Sequence, residues 1–194
     1  MMIHNWASRL ATGLVNSRII EETSHDVYTY GFELIISAAV NIFLMALVSI
    51  SFHRYYDWLL FLAAFVPLRT TAGGYHASSH IKCIMVGTIA FTVLLAVSRI
   101  LIDWTSAILA IAVMSFILIL IFSPVEARNK KLVDERRGKN RKVSILFSIA
   151  NLLIAMTLFF VDGLSEILNI YFAGVFAAAL SMAVVKILNS RSGG

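Results

Sequence analysis

Six stretches of this chain are too apolar to face water, and they follow one another with only short polar interruptions. They cover residues 34–50, 58–68, 84–98, 104–122, 143–161 and 167–187. The first five contain no charged side chain, and the sixth contains only Lys186. A backbone surrounded by lipid must satisfy its own N–H and C=O groups, and a helix does this within one segment. The whole composition agrees. Of 194 residues, 59% are hydrophobic and 14% charged, against roughly half and a quarter in a soluble domain. A soluble fold of this size could not cover that much apolar surface with so few charges.

The pattern predicts an all-α, polytopic membrane protein of about six transmembrane helices in a single domain, residues 1–194. Two spans are short. Residues 58–68 hold 11 apolar residues, about 16 Å of helix against a hydrocarbon core of ~30 Å, and residues 84–98 are also brief. Ahead of the spans, residues 1–28 form an N-terminal segment with an amphipathic helix. Between 6 and 16, Trp6, Ala7, Leu10, Ala11, Leu14 and Val15 share one arc, while Ser8, Arg9, Thr12 and Asn16 share the other. Such a helix either packs on the protein or lies in the membrane interface. Glu21, Glu22, Asp26 and Glu33 precede the first apolar run, so no cleavable signal peptide is expected.

The positive charge is concentrated. Residues 125–142 carry Arg128, Lys130, Lys131, Arg136, Arg137, Lys139, Arg141 and Lys142. With six spans and both termini on one side, 14 of the 16 Lys and Arg residues fall on that side, leaving only Arg54 and Arg99 opposite. Basic residues accumulate on the cytoplasmic side. Both termini, the basic loop and the window 69–83 are therefore expected in the cytoplasm. The loop reads first as an orientation signal, and second as a surface attracting an acidic peptide or anionic lipid. Nothing in it has the aromatic interleaving of a nucleic-acid site.

The window 69–83 carries the chemistry: Arg69, Gly73-Gly74-Tyr75-His76, Ser78-Ser79-His80 and Lys82-Cys83. Cys83 is the sole cysteine, which excludes an intramolecular disulfide. A thiol attacks as its thiolate, which an imidazolium or a helix N-terminus favours. Cys83 opens the third apolar run, so it is expected in the first turn of that helix, beside Lys82. Two histidines compete as its base. His80, three residues earlier, shares a helical face with Cys83. His76 would lie ~10.5 Å away along one continuous helix, so it serves only if the chain bends, which Gly73-Gly74 permits. Spacing slightly favours His80. The bland reading is packing with a snorkelling imidazole. Ser78 or Ser79 as nucleophile, and His76 with His80 as metal ligands, are weaker readings: no base is assured near the serines and no third ligand is at hand. Arg99 and Asp103 read as interfacial anchors or a loop ion pair, and Trp6, Trp58 and Trp104 as interface residues.

Arg69-x₃-Gly73-Gly74-Tyr75-His76-x₆-Cys83 resembles the accessory gene regulator B family of membrane peptidases. The resemblance extends over most of the chain, through the apolar spans, the Ser123-Pro124 pair and the basic Asn129-Lys130-Lys131-Leu132 stretch. It implies a cysteine endopeptidase that trims a quorum-sensing precursor peptide, with Cys83 as nucleophile and His76 as base. The precursor would be held as a thioester, which an internal thiol or hydroxyl attacks to close a ring. Precursors of this family carry an amphipathic N-terminal segment and an acidic tail. Lys82, Lys130 and Lys131 are then candidates for binding that tail, with Arg69, Gly73 and Gly74 in support. The resemblance also implies a homodimer in the cell membrane. It calls for no metal, other cofactor or nucleic-acid partner. The competing reading from another class is a small transporter or exporter of a signalling peptide, and a third is a scaffold without chemistry. A transporter would typically carry more charged or amide side chains inside its spans.

Overall fold

The computed structural model describes residues 2–74, 79–100, 105–125, 134–159 and 165–191. Seven α-helices account for nearly all of them: α1 (Met2–Asn16), α2 (His25–Ser51), α3 (Asp57–Ala72), α4 (His80–Ile100), α5 (Thr105–Phe122), α6 (Asp134–Phe159) and α7 (Ser165–Arg191). A 3₁₀ turn, Glu22–Ser24, leads into α2, and no strand occurs among the described residues. Length and apolarity suit three segments for crossing a membrane: Glu22–Ser51, His80–Ile100 and Asn169–Ser190. Ser106–Phe122 is a shorter apolar helix. The protein is an all-α membrane protein, with α1 followed by one helix for each apolar run.

The helices outrun their apolar cores. Helix α4 begins four residues before its run, because residues 80–83 form its first turn, and it reaches 21 residues. Helix α3 stays short at 16. Helix α6 starts at Asp134, inside the stretch expected to be loop. The sequence there suits a helix, since Lys and Arg are residue types of good helix propensity. Residues 126–133 lie outside the described residues.

The chain divides into two compact units, residues 1–48 with 77–89 and residues 49–76 with 90–194. In the first, α1 runs antiparallel to the start of α2. His4 meets Glu33, and Thr12 Oγ1 lies 3.2 Å from His25 Nε2. Only Ala7 and Ala11 of the predicted apolar arc are buried; Trp6 and Leu10 remain exposed. Small residues thus make the packed edge, and the bulky ones are left for lipid or interface. Helices α2 and α4 run parallel at a fixed offset. Glu33 pairs with His80, and eight residues on in each helix Thr88 donates to Asn41 Oδ1 at 3.1 Å. The helices approach closely there, since a Cβ on Gly87 would come within 2.8 Å of the Asn41 amide.

In the second unit α7 is central. Asp57, Phe61, Ala64, Leu68 and Ala72 form one buried stripe of α3 at helical spacing. It packs with Phe172, Val175, Ala178, Ala179, Met182 and Val185 of α7, together with Ile108, Ala112 and Ile119 of α5. Gly174 allows the approach, because a Cβ there would lie 2.6 Å from the Phe61 carbonyl oxygen. Several polar groups inside this unit are paired: Ser148 Oγ donates to Ser144 O at 2.8 Å within α6, and Tyr171 of α7 donates to Asn151 Oδ1 of α6. The α2–α3 turn is pinned by Arg54 Nε to Asp57 Oδ2 at 2.6 Å. Arg99 donates to the Phe52 carbonyl at 3.2 Å and lies over its ring.

Candidate functional site

Helix α4 starts on a serine cap. The Lys82 N–H donates to Ser79 Oγ at 3.3 Å, and the Cys83 N–H donates to Ser79 O at 3.0 Å. That second bond is the first of the helical i→i−4 series, so Cys83 closes the opening turn. Its thiol is free and half-buried, whereas Lys82 beside it is exposed. The thiol therefore stands on the positive end of a helix that continues through an apolar span.

His80 is one turn earlier and is already engaged. Its Nε2 lies 3.0 Å from Glu33 Oε2, while His4 Nδ1 lies 2.6 Å from Glu33 Oε1. Glu33 is largely buried, with 14% of its side chain exposed. One carboxylate thus holds α1 through His4 and the opening turn of α4 through His80. Each imidazole takes a different oxygen, which is hydrogen bonding rather than convergence on a common centre. Among the described residues no group of three His, Cys, Asp or Glu side chains forms a metal site. Sequence reasoning treated Glu33 only as the flank of an apolar run. The one signal was a carboxylate at the edge of such a run, and its partners 29 and 47 residues away carry no local pattern.

The other part of the window belongs to the second unit. Helix α3 ends at Ala72, followed by Gly73 with φ +83° and Gly74 with φ +141°. Both angles favour glycine. Gly73 also abuts the Val125 carbonyl, and Val125 N–H donates to Ala72 O at 2.9 Å. The glycine break is therefore stitched to the first residue of the basic stretch. At Gly74 a Cβ would meet Ser181 Oγ of α7 and would lie 2.8 Å from an Arg69 guanidinium nitrogen. Arg69 thus reaches along the end of its own helix toward the glycine backbone. His76, Lys130 and Lys131 lie outside the described residues, as do Ser78, Trp104 and Asp103.

An all-helical chain with long apolar spans, whose lone thiol opens a helix that follows a glycine-containing polar window in sequence, defines a class of integral membrane protein. The accessory gene regulator B family model matches residues 7–185, and the chain belongs to that family. Membership places it in the processing of a quorum-sensing peptide. No curated protein and no solved structure is matched by the chain.

Proposed function

We propose that the protein is a membrane cysteine endopeptidase. It removes the C-terminal tail of a precursor peptide and permits the remainder to cyclise. The observation that carries this reading is the position of Cys83, a free, half-buried thiol in the opening turn of α4. Family membership supplies the peptide context.

In this reading His76 takes the Cys83 proton, and Sγ attacks the carbonyl carbon of the scissile bond. The tetrahedral intermediate collapses, the C–N bond breaks, and the imidazolium returns its proton to the leaving amine. The precursor stays as a thioester on Cys83. A thiol or hydroxyl within it then gives its proton to His76 and attacks, forming the thiolactone or lactone and expelling the Cys83 thiolate, which His76 reprotonates. Water has to be held away from the thioester for cyclisation to outrun hydrolysis. Lys82, Lys130 and Lys131 attract the acidic tail, and Arg69, Gly73 and Gly74 shape the window. His80 acts as a neighbour held by Glu33. Both termini and the window face the cytoplasm. The charge count supports that orientation, and so does the pairing of the two minority basic residues at one end of the second unit, with Arg99 on Phe52 and Arg54 two residues later. The protein works as a homodimer in the cell membrane.

The test is reconstitution of purified protein with a precursor, reading the released tail and the thioester adduct by mass spectrometry. Cys83→Ala is expected to abolish both. His76→Ala should slow cleavage by about 10²–10⁴-fold, the usual contribution of a positioned base. His80→Ala should cost far less. Wild-type cleavage in both Cys83→Ala and His76→Ala would overturn the proposal.

A further inference from the structure

A cavity of about 470 Å³ opens where α5 ends, lined by Ile121, Phe122, Ser123, Pro124, Gly138, Arg141 and Lys186. Three features define its chemistry. Arg141 of α6 and Lys186 of α7 bring two cations to one space, and neither has a hydrogen bond or ion pair among the described residues. Ser123 also lines the cavity, is 4% exposed, and its buried Oγ has no hydrogen-bond partner. A buried hydroxyl without a partner is unfavourable, so Ser123 gains from a polar group that enters the cavity. Finally, one apolar side chain stands at its lip in an otherwise mostly polar lining: Ile121 lines the cavity yet is 64% exposed.

We propose that this cavity binds the phosphate headgroup of an anionic phospholipid. The cations and the Ser123 hydroxyl address the phosphate oxygens, and Ile121 and Phe122 meet the start of the acyl chains. The position suits this ligand. Lys186 stands in the last turns of the span Asn169–Ser190, and Phe122 ends the apolar helix Ser106–Phe122, so the cavity lies at the level where headgroups meet hydrocarbon. An acidic peptide would use the cations but has no need of an exposed isoleucine at the lip. The site requires no chemistry at Cys83, so it and the peptidase reading stand or fall separately.

The full-length protein, purified in neutral detergent, is offered phosphatidylglycerol, phosphatidylcholine, inorganic phosphate or a short polyglutamate peptide, and binding is read by native mass spectrometry and by thermal shift. Phosphatidylglycerol should be retained in preference to phosphatidylcholine. The double variant Arg141→Gln/Lys186→Gln should lower its affinity by about thirtyfold, since each basic residue near an anionic headgroup contributes on the order of 1 kcal/mol. Ser123→Ala should lower it by about fivefold. Lys186→Arg, which keeps the charge, should bind like wild type, and circular dichroism confirms that each variant is folded. Equal retention of the two lipids, undiminished binding in the double variant, or loss of binding in folded Lys186→Arg would each overturn the proposal. So would variant-sensitive binding of polyglutamate or of inorganic phosphate in place of phosphatidylglycerol.

Discussion

Gly73 is held by two constraints at once, a positive φ and the carbonyl of Val125 against its α-carbon. An alanine there must resolve a backbone clash in a conformation that L residues rarely adopt. Gly73→Ala should therefore destabilise the protein by about 1–3 kcal/mol, seen as a lower Tm in detergent. Gly31→Ala, where a Cβ meets nothing within 4 Å, should be neutral or slightly stabilising. Glu33 is the second telling residue. Glu33→Gln removes the charge from two hydrogen bonds that each involve an imidazole. Charge-assisted bonds contribute about 1.5–3 kcal/mol each. Amide exchange over residues 2–16 and 79–83 should accelerate at least tenfold in this variant, while exchange in α7 stays unchanged. Uniform acceleration everywhere would show that Glu33 supports the whole fold rather than these two attachments.

At the scale of the helix, the approach of α3 to α7 depends on a single missing methyl group. In Gly174→Ala the new Cβ would lie 2.6 Å from the Phe61 carbonyl oxygen and 3.1 Å from Ala64 Cβ. Backbone cannot yield cheaply, so the helices must separate, at about 1–3 kcal/mol. The loss should appear in thermal unfolding, and Ala64→Gly in the same chain should recover part of it. The helices themselves were legible because a charge-free run in a membrane protein has little choice of structure. Their ends were less so. Residues 134–142 read as loop from their charge, yet Lys and Arg are residue types of good helix propensity. The break at Gly73-Gly74 was legible from composition, and the place of Cys83 in the opening turn followed from where the apolar run begins, but the Ser79 cap on that turn was not read. The Val125 stitch and the Glu33 attachments were not, since each joins residues far apart in sequence through geometry that no local pattern records.

For the molecule as a whole, the testable quantity is orientation. The lone cysteine makes this simple, because a Cys83→Ser background carries no other thiol. Tyr55→Cys, exposed in the α2–α3 turn, should react with a membrane-impermeant maleimide added to intact cells. Ser17→Cys should react only after permeabilisation. The reverse pattern would invert the proposed topology. The parallel pair in the first unit has a further consequence, for how the chain can change length over evolutionary time. Glu33 and Asn41 are eight residues apart, and so are their partners His80 and Thr88. Each residue inserted or deleted between them would turn the following part of one helix by about 100°, so one of the two contacts would face away. Residues 33–41 and 80–88 should therefore be free of insertions and deletions among relatives that keep these contacts. Changes in length should collect in the connecting segments instead.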